Sequence, residues 1–115
     1  MTLNYIAGEW LAASNAVPNV NPSNTSDVVG EFAQASAADV ERAIDAAFDA
    51  FRAWSHSTIQ TRHDCLNAIA AEILSRKEEL GRLLSREEGK TLPEGIGEVT
   101  RAGQIFQFFA GDPCS

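Results

Sequence analysis

Cysteine is scarce in this chain, and what little there is does not cluster. Cys65 and Cys114 are the only two among 115 residues, and no C-x-x-C spacing occurs. That excludes a disulfide framework and a thiolate zinc cage. Cys65 falls in a helical pattern and is expected to be a small buried hydrophobe. Cys114 is the penultimate residue, expected in a frayed tail over 112–115. Positive charge is also short: nine Lys and Arg stand against sixteen Asp and Glu, for a formal net charge of −7. Nucleic acid is therefore not expected as a partner, because binding it needs clustered cations. No apolar run nears the length of a membrane span, so no membrane association is expected. The N-terminus has no basic stretch ahead of an apolar one, as a secretory signal would. A reducing cytoplasm is the expected location.

What is present reads as a globular sequence. Hydrophobic residues make up 44% and charged residues 22%, which is ordinary for a soluble fold. The length suits one domain or a piece of a larger one. The first 35 residues carry short β-type runs. Leu3–Ile6 and Trp10–Leu11 flank Ala7-Gly8-Glu9 and predict a hairpin. Val17–Val20 runs into the turn-rich Asn21-Pro22-Ser23-Asn24-Thr25, and Val28–Ala33 is a further strand. Pro18 cannot donate to a ladder, which confines its strand to an edge.

From residue 36 the period becomes helical. Ser36 and Asp39 fit a capping box, and Val40, Ile44, Ala47, Phe51 and Trp54 follow at helical spacing. A second helix is predicted over about 60–75, with Cys65, Leu66, Ile69, Ile73 and Leu74 inward. A third runs over 77–88 on Leu80, Leu83 and Leu84. Gly81 inside it costs ~1 kcal/mol against alanine, which points to close packing or to a break nearby. Gly89 sits where a helix-ending glycine belongs. Thr91 and Glu94 open a last helix with Pro93 in its first turn. Its stripe is Ile96, Val99, Gly103, Phe106 and Ala110, with Ile105, Phe108 and Phe109 around it. The fold class is α+β: small antiparallel strands over 1–35, then about four helices over 36–111.

Several tempting motifs fail. Gly89-Lys90-Thr91 ends like a phosphate-binding loop, but the required earlier glycine is Leu84 and the preceding segment is helix. Gly95-Ile96-Gly97 starts like a dinucleotide fingerprint, but position 100 is Thr100 and no strand precedes it. His56 and His63 have no metal-ligand spacing, and read as surface or helix-capping histidines. His63 and Cys65, two apart on a helix, point away from each other. Glu87 and Glu88 oppose the dipole at a helix C-terminus, a hint that one of them has a specific partner. No catalytic residue, cofactor site or metal site can be assembled from these residues.

The ordered motifs nevertheless form a set. Asn4-Tyr5-Ile6-Ala7-Gly8-Glu9-Trp10, Val20-Asn21-Pro22-Ser23, Phe51-Arg52-Ala53-Trp54, Glu87-Glu88-Gly89-Lys90 and Phe108-Phe109-Ala110-Gly111 resemble, in order and spacing, the opening of NAD(P)-dependent aldehyde dehydrogenases. The finer resemblance is to the branch oxidising α-ketoglutaric semialdehyde (2,5-dioxopentanoate) or related semialdehydes. It implies a cysteine nucleophile, hydride transfer to NAD(P)+ and hydrolysis of a thioester. It also implies that this chain is an N-terminal fragment. The family's nucleophile, general base and dinucleotide-binding sheet would lie past the last residue, and neither Cys65 nor Cys114 matches the nucleophile's motif. The run Asp112-Pro113-Cys114-Ser115 looks like a truncation or a frameshift.

On the same resemblance, residues 36–111 are the helical layer of a cofactor domain without its sheet. The isolated chain is then expected to be inactive, to hold no cofactor, and to self-associate through exposed apolar helix surface. Gly97 and Arg101, four apart on one face, would line the substrate tunnel, with Arg101 attracting a substrate carboxylate. The competing reading of Arg101 is a surface arginine paired with Glu98. A competing reading of the whole chain is an independent helical interaction or oligomerisation module without catalysis.

Overall fold

A computed structural model describes residues 2–112, so Cys114 and all but Asp112 of the terminal segment lie outside the described residues. Four strands precede four helices: β1 (Asn4–Ile6), β2 (Glu9–Leu11), β3 (Ala16–Val20), β4 (Val28–Ala33), α1 (Ala37–Ser55), α2 (Ile59–Ser75), α3 (Lys77–Glu88) and α4 (Leu92–Ala110). The chain divides into two compact units, Met1–His56 and Ser57–Ser115. This partition differs from a division by element type at residue 35, because α1 groups with the strands.

In the first unit the strands form two separate two-stranded antiparallel ladders, β1 with β2 and β3 with β4. The β1–β2 turn is Ala7-Gly8, with φ of 54° and 84°. Two successive positive φ values match the twist of a tight hairpin, and Gly8 takes the second without strain. Tyr5 opposes Trp10 across this hairpin, with ring centroids 4.8 Å apart. The β3–β4 ladder places Pro18 opposite Glu31. β3 pairs with β4 alone and is therefore an edge strand, which is where a proline is tolerated. The loop between them is held by local bonds: Asn21 Oδ1 accepts from the Ser23 amide, and Asn21 Nδ2 donates to Asp27.

α1 begins as its sequence predicts. The Asp39 amide donates to Ser36 Oγ at 3.2 Å, and the Ser36 amide donates back to the Asp39 carboxylate at 2.9 Å. Its end is closed by His56, whose Nδ1 donates to the Arg52 carbonyl at 2.8 Å. None of its side chains is buried.

The second unit is a three-helix layer in which α4 packs on both α2 and α3. The buried line of α4 is Gly95, Val99, Gly103 and Ala110. Small residues recur along it, so the helices approach closely. A methyl group on Gly81 would lie 2.6 Å from Ile96 Cγ1, and one on Gly103 would lie 2.7 Å from Leu74 Cδ2. The Gly81 expectation is therefore met by close helix contact rather than by a break.

Three inward assignments need correction. Cys65 is exposed, Ile69 is 38% exposed and Leu83 41%. The buried centre of α2 is Ala70, flanked by the half-buried Leu66, Ile73 and Leu74. A stripe through 66, 70, 73 and 74 is rotated by about a residue from one through 65, 69 and 73. Alanine adds little hydrophobic signal, so the pattern was drawn toward the larger Ile69.

Candidate functional site

The turn between α3 and α4 answers the question raised by Gly89-Lys90-Thr91. Gly89 adopts φ 72° and its amide donates to the Ser85 carbonyl at 2.9 Å, which ends α3. Thr91 opens α4: its amide and its Oγ1 both donate to the Glu94 carboxylate, at 3.0 and 2.7 Å. Lys90 Nζ sits 2.6 Å from both Glu88 and Glu98. The Glu88 contact supplies the partner expected for an acid at a helix C-terminus, and this cation also binds the two sides of the turn. Both carboxylates hold the Lys90 ammonium above its ordinary range, Glu88 first and then Glu98.

These contacts also decide whether a dinucleotide phosphate fits. The N-terminus of α4 would be the anion site of such a turn, but the Glu94 carboxylate already occupies it. Gly95 is pressed against Ser85 and the Gly81 backbone, so its backbone cannot approach a ligand. The residues of this turn do not fit the NAD(P) of the resembled family.

Glu94 is held below its ordinary value by the Thr91 side chain and then by the Thr91 backbone amide, and Asp39 by the Ser36 backbone amide and then its hydroxyl. A depressed carboxylate contributes stability that is present above its unfolded value, here 4.5 for Glu94 and 3.8 for Asp39, and lost as pH falls through the folded value. Helix content followed by circular dichroism is expected to fall on acidification below 4.5. In Glu94→Gln the α4 share of that loss is expected to vanish, since the amide does not titrate.

The exposed face of α4 carries the sequence-derived site residues. Gly97 is exposed, and a methyl group there would meet nothing within 4 Å. One turn on, Arg101 lines a pocket of about 400 Å³ together with Gln104, Ile105, Phe108 and Phe109. Gly97 shares the face but not the lining. The floor is apolar: the Phe108 and Phe109 rings meet edge to face with centroids 5.3 Å apart, and Phe108 is 73% exposed. Glu98 is engaged by Lys90, and Arg101 forms no ion pair among the described residues. The surface pairing of Arg101 with Glu98 is thus replaced by a lysine bridge. Gln104 was not anticipated, although its spacing of three from Arg101 places it on the same face.

The other chemistry-bearing side chains are structural. His63 Nδ1 donates to the Ala110 carbonyl at 2.8 Å and ties α2 to the end of α4. Among the described residues no group of His, Cys, Asp and Glu could hold a metal ion, and no helix is long and apolar enough to cross a membrane.

The order of short strands, capped helices and motifs is that of a segment shared with one large family. The family model described as "Aldehyde dehydrogenase family" matches residues 10–114, and the chain belongs to that family. It is 39% identical over 112 residues to an alpha-ketoglutaric semialdehyde dehydrogenase of Bacillus subtilis, covering 96% of this chain and 23% of the relative. It is 34% identical over 115 residues to a malonate-semialdehyde dehydrogenase of Bacillus pumilus, covering 98% and 24%. Among solved structures it superposes on a betaine aldehyde dehydrogenase of Staphylococcus aureus in complex with NAD+, with a TM-score of 0.88, 36% identity, and coverage of 95% of this chain and 23% of that one. The chain thus spans about a quarter of the length of the relatives it matches.

Proposed function

We propose that this chain supplies one wall of the aldehyde passage of an enzyme that oxidises a carboxylated semialdehyde to the dicarboxylate with NAD(P)+, and that Arg101 receives the substrate's distal carboxylate. The observation that carries this reading is an arginine at the edge of an apolar pocket with no acidic partner among the described residues. A guanidinium gives a carboxylate charge-assisted hydrogen bonds, while Ile105 and Phe108 suit the methylenes between the two ends. Relatives named for α-ketoglutaric and malonic semialdehydes support the substrate class. Gly97, with open space above it, leaves room beside the arginine for a chain to pass.

The chain of residues 1–115 has no nucleophile–base pair among the described residues, and by itself it turns over no aldehyde. Titrating the purified chain with NAD+ and with a semialdehyde should give no saturable signal and no NADH absorbance. Turnover by the chain alone would overturn this. The substrate assignment is tested by Arg101→Leu in a chimaera where residues 3–111 replace the matching segment of the Bacillus subtilis relative. An unchanged preference between carboxylated and uncharged aldehydes would end it.

The last turns of α4 also favour self-association of the chain. Ile105, Phe108 and Phe109 are 46, 73 and 48% exposed, and exposed apolar clusters drive association.

A further inference from the structure

We infer that Lys90 is a positioning residue for the substrate arginine: by holding Glu98 across the α3–α4 turn, it keeps Arg101 free to take the carboxylate of a semialdehyde. This role rests on the reading of Arg101 as the receiver of the distal carboxylate, and it accounts for how that arginine stays unpaired.

Arg101 has a competing partner on its own helix. Of the residues within four positions of it, Glu98 alone is acidic. The acid lies three residues N-terminal to the base, a spacing and order that favour pairing along a helix surface. The Glu98 carboxylate is instead turned to Lys90 Nζ at 2.6 Å, and Arg101 forms no ion pair among the described residues. All of these groups lie in one compact unit.

Glu98 thus stands between two cations, and the contacts explain why the lysine wins. Lys90 Nζ also meets Glu88 at 2.6 Å, so it is fixed from two sides. Its side chain is 20% exposed, whereas Arg101 is exposed. Water and salt weaken an exposed pair more than a partly buried one. The backbone adds to this. Gly89 ends α3 with φ 72° and Thr91 opens α4, which sets Lys90 between two helix ends. It is one residue past the C-terminus of α3, where a cation is favoured, and it reaches a carboxylate on each helix.

Removing the lysine leaves Arg101 as the one cation within four residues of Glu98 on α4. A Glu98–Arg101 pair would occupy guanidinium donors and set an anion beside the place of the substrate carboxylate. Each substrate would then have to displace Glu98. Apparent affinity falls with the fraction of molecules whose arginine is open.

In the Bacillus subtilis chimaera, Lys90→Met is expected to lower the preference for a carboxylated over an uncharged aldehyde about 2- to 5-fold, as fits competition by a solvent-exposed ion pair. The loss should fall on KM and not on kcat, since uniform binding is what is removed. Adding Glu98→Gln to Lys90→Met should restore the parental preference, because the competing carboxylate is gone. Arg101→Leu is measured beside them. A preference that falls in Arg101→Leu but holds in Lys90→Met overturns the role of Lys90 and leaves the substrate reading standing. So does a loss in Lys90→Met that Glu98→Gln fails to restore, since the lysine then acts through the turn itself. An unchanged preference in Arg101→Leu ends the substrate reading and this role with it. The exchange of partners has its own readout in the thermal unfolding of the 115-residue chain. With Lys90 present, the midpoint shifts of Glu98→Gln and Arg101→Leu should add. In the Lys90→Met background they should depart from additivity by about 1–4 °C. Additive shifts in both backgrounds overturn the inference.

Discussion

Gly95→Ala is expected to lower the stability of the helical unit by about 3 kcal/mol, while Gly97→Ala, two residues along the same helix, raises it by ~0.5–1 kcal/mol. Both substitutions remove a helix-interior glycine, and both gain the backbone preorganisation that alanine brings. Only one has room. A methyl group at Gly95 would press on the Gly81 carbonyl oxygen and lie 2.5 Å from Ser85 Oγ. The Ser85 hydroxyl is fixed by donating to the Gly81 carbonyl at 2.9 Å. The obstacle is thus backbone and a hydrogen-bonded side chain, neither of which can swing away, and overpacking outweighs the propensity gain. At Gly97 nothing lies within 4 Å, so the gain stands alone. Gly103→Ala should fall between them, because its obstacle is the flexible Leu74 side chain. Thermal unfolding of the three variants checks the order. Each kcal/mol shifts the midpoint by about 4–8 °C in a chain of this size, so Gly95→Ala should melt roughly 15 °C lower. A Gly95→Ala variant as stable as Gly97→Ala would mean that α3 and α4 are not in backbone contact.

Arg101→Leu is expected to lower kcat/KM for a carboxylated semialdehyde by about 10- to 100-fold in the full-length chimaera. The corresponding uncharged aldehyde should change less than ~3-fold. A hydrogen bond to a charged group contributes ~1.5–3 kcal/mol, and each ~1.4 kcal/mol is tenfold. Leucine keeps the apolar body of the side chain and removes the five donors, so the uncharged substrate acts as an internal control for packing. Arg101→Lys should recover part of the preference, since an ammonium keeps the charge without the planar fork. The loss should shrink at high salt, because the arginine is exposed to solvent. Equal losses for both substrates would mean that Arg101 acts through the fold and not through the substrate's charge.

Much of this molecule was legible before its fold was known, and the reasons differ by element. The caps were readable because they are local: Ser36 with Asp39, and Thr91 with Glu94, are three residues apart and need no tertiary partner. Gly89 was readable as a stop because few other residues accept its backbone conformation. Gly81 was flagged by its own propensity penalty, and Ile96 against its backbone supplies the compensation. What was missed depends on distance or on faint signal. Cys65 and Ile69 were turned inward because Ala70, the true centre of α2, barely registers in a hydrophobic pattern. Glu98 was assigned to Arg101 on spacing along one helix. It was taken instead by Lys90, eight residues away, which only the turn brings near. Gln104 had a signal in its spacing from Arg101 but was overlooked beside the more striking aromatic neighbours. Gly97 and Arg101 themselves came from likeness to a family, and no composition or period would have singled them out.

The glycine-lined contact of α4 has a thermal consequence. Helices that touch backbone to backbone gain dispersion and exclude water from little apolar area. The described residues include no large side chain that is fully buried, and the buried apolar residues are Ile6, Ala70, Val99 and Ala110. Heat capacity on unfolding tracks apolar area newly wetted, so this chain should fall below the usual ~12–15 cal/mol/K per residue. Its free-energy curve is then broad and shallow, tolerating cold better than most domains and melting over a wide interval.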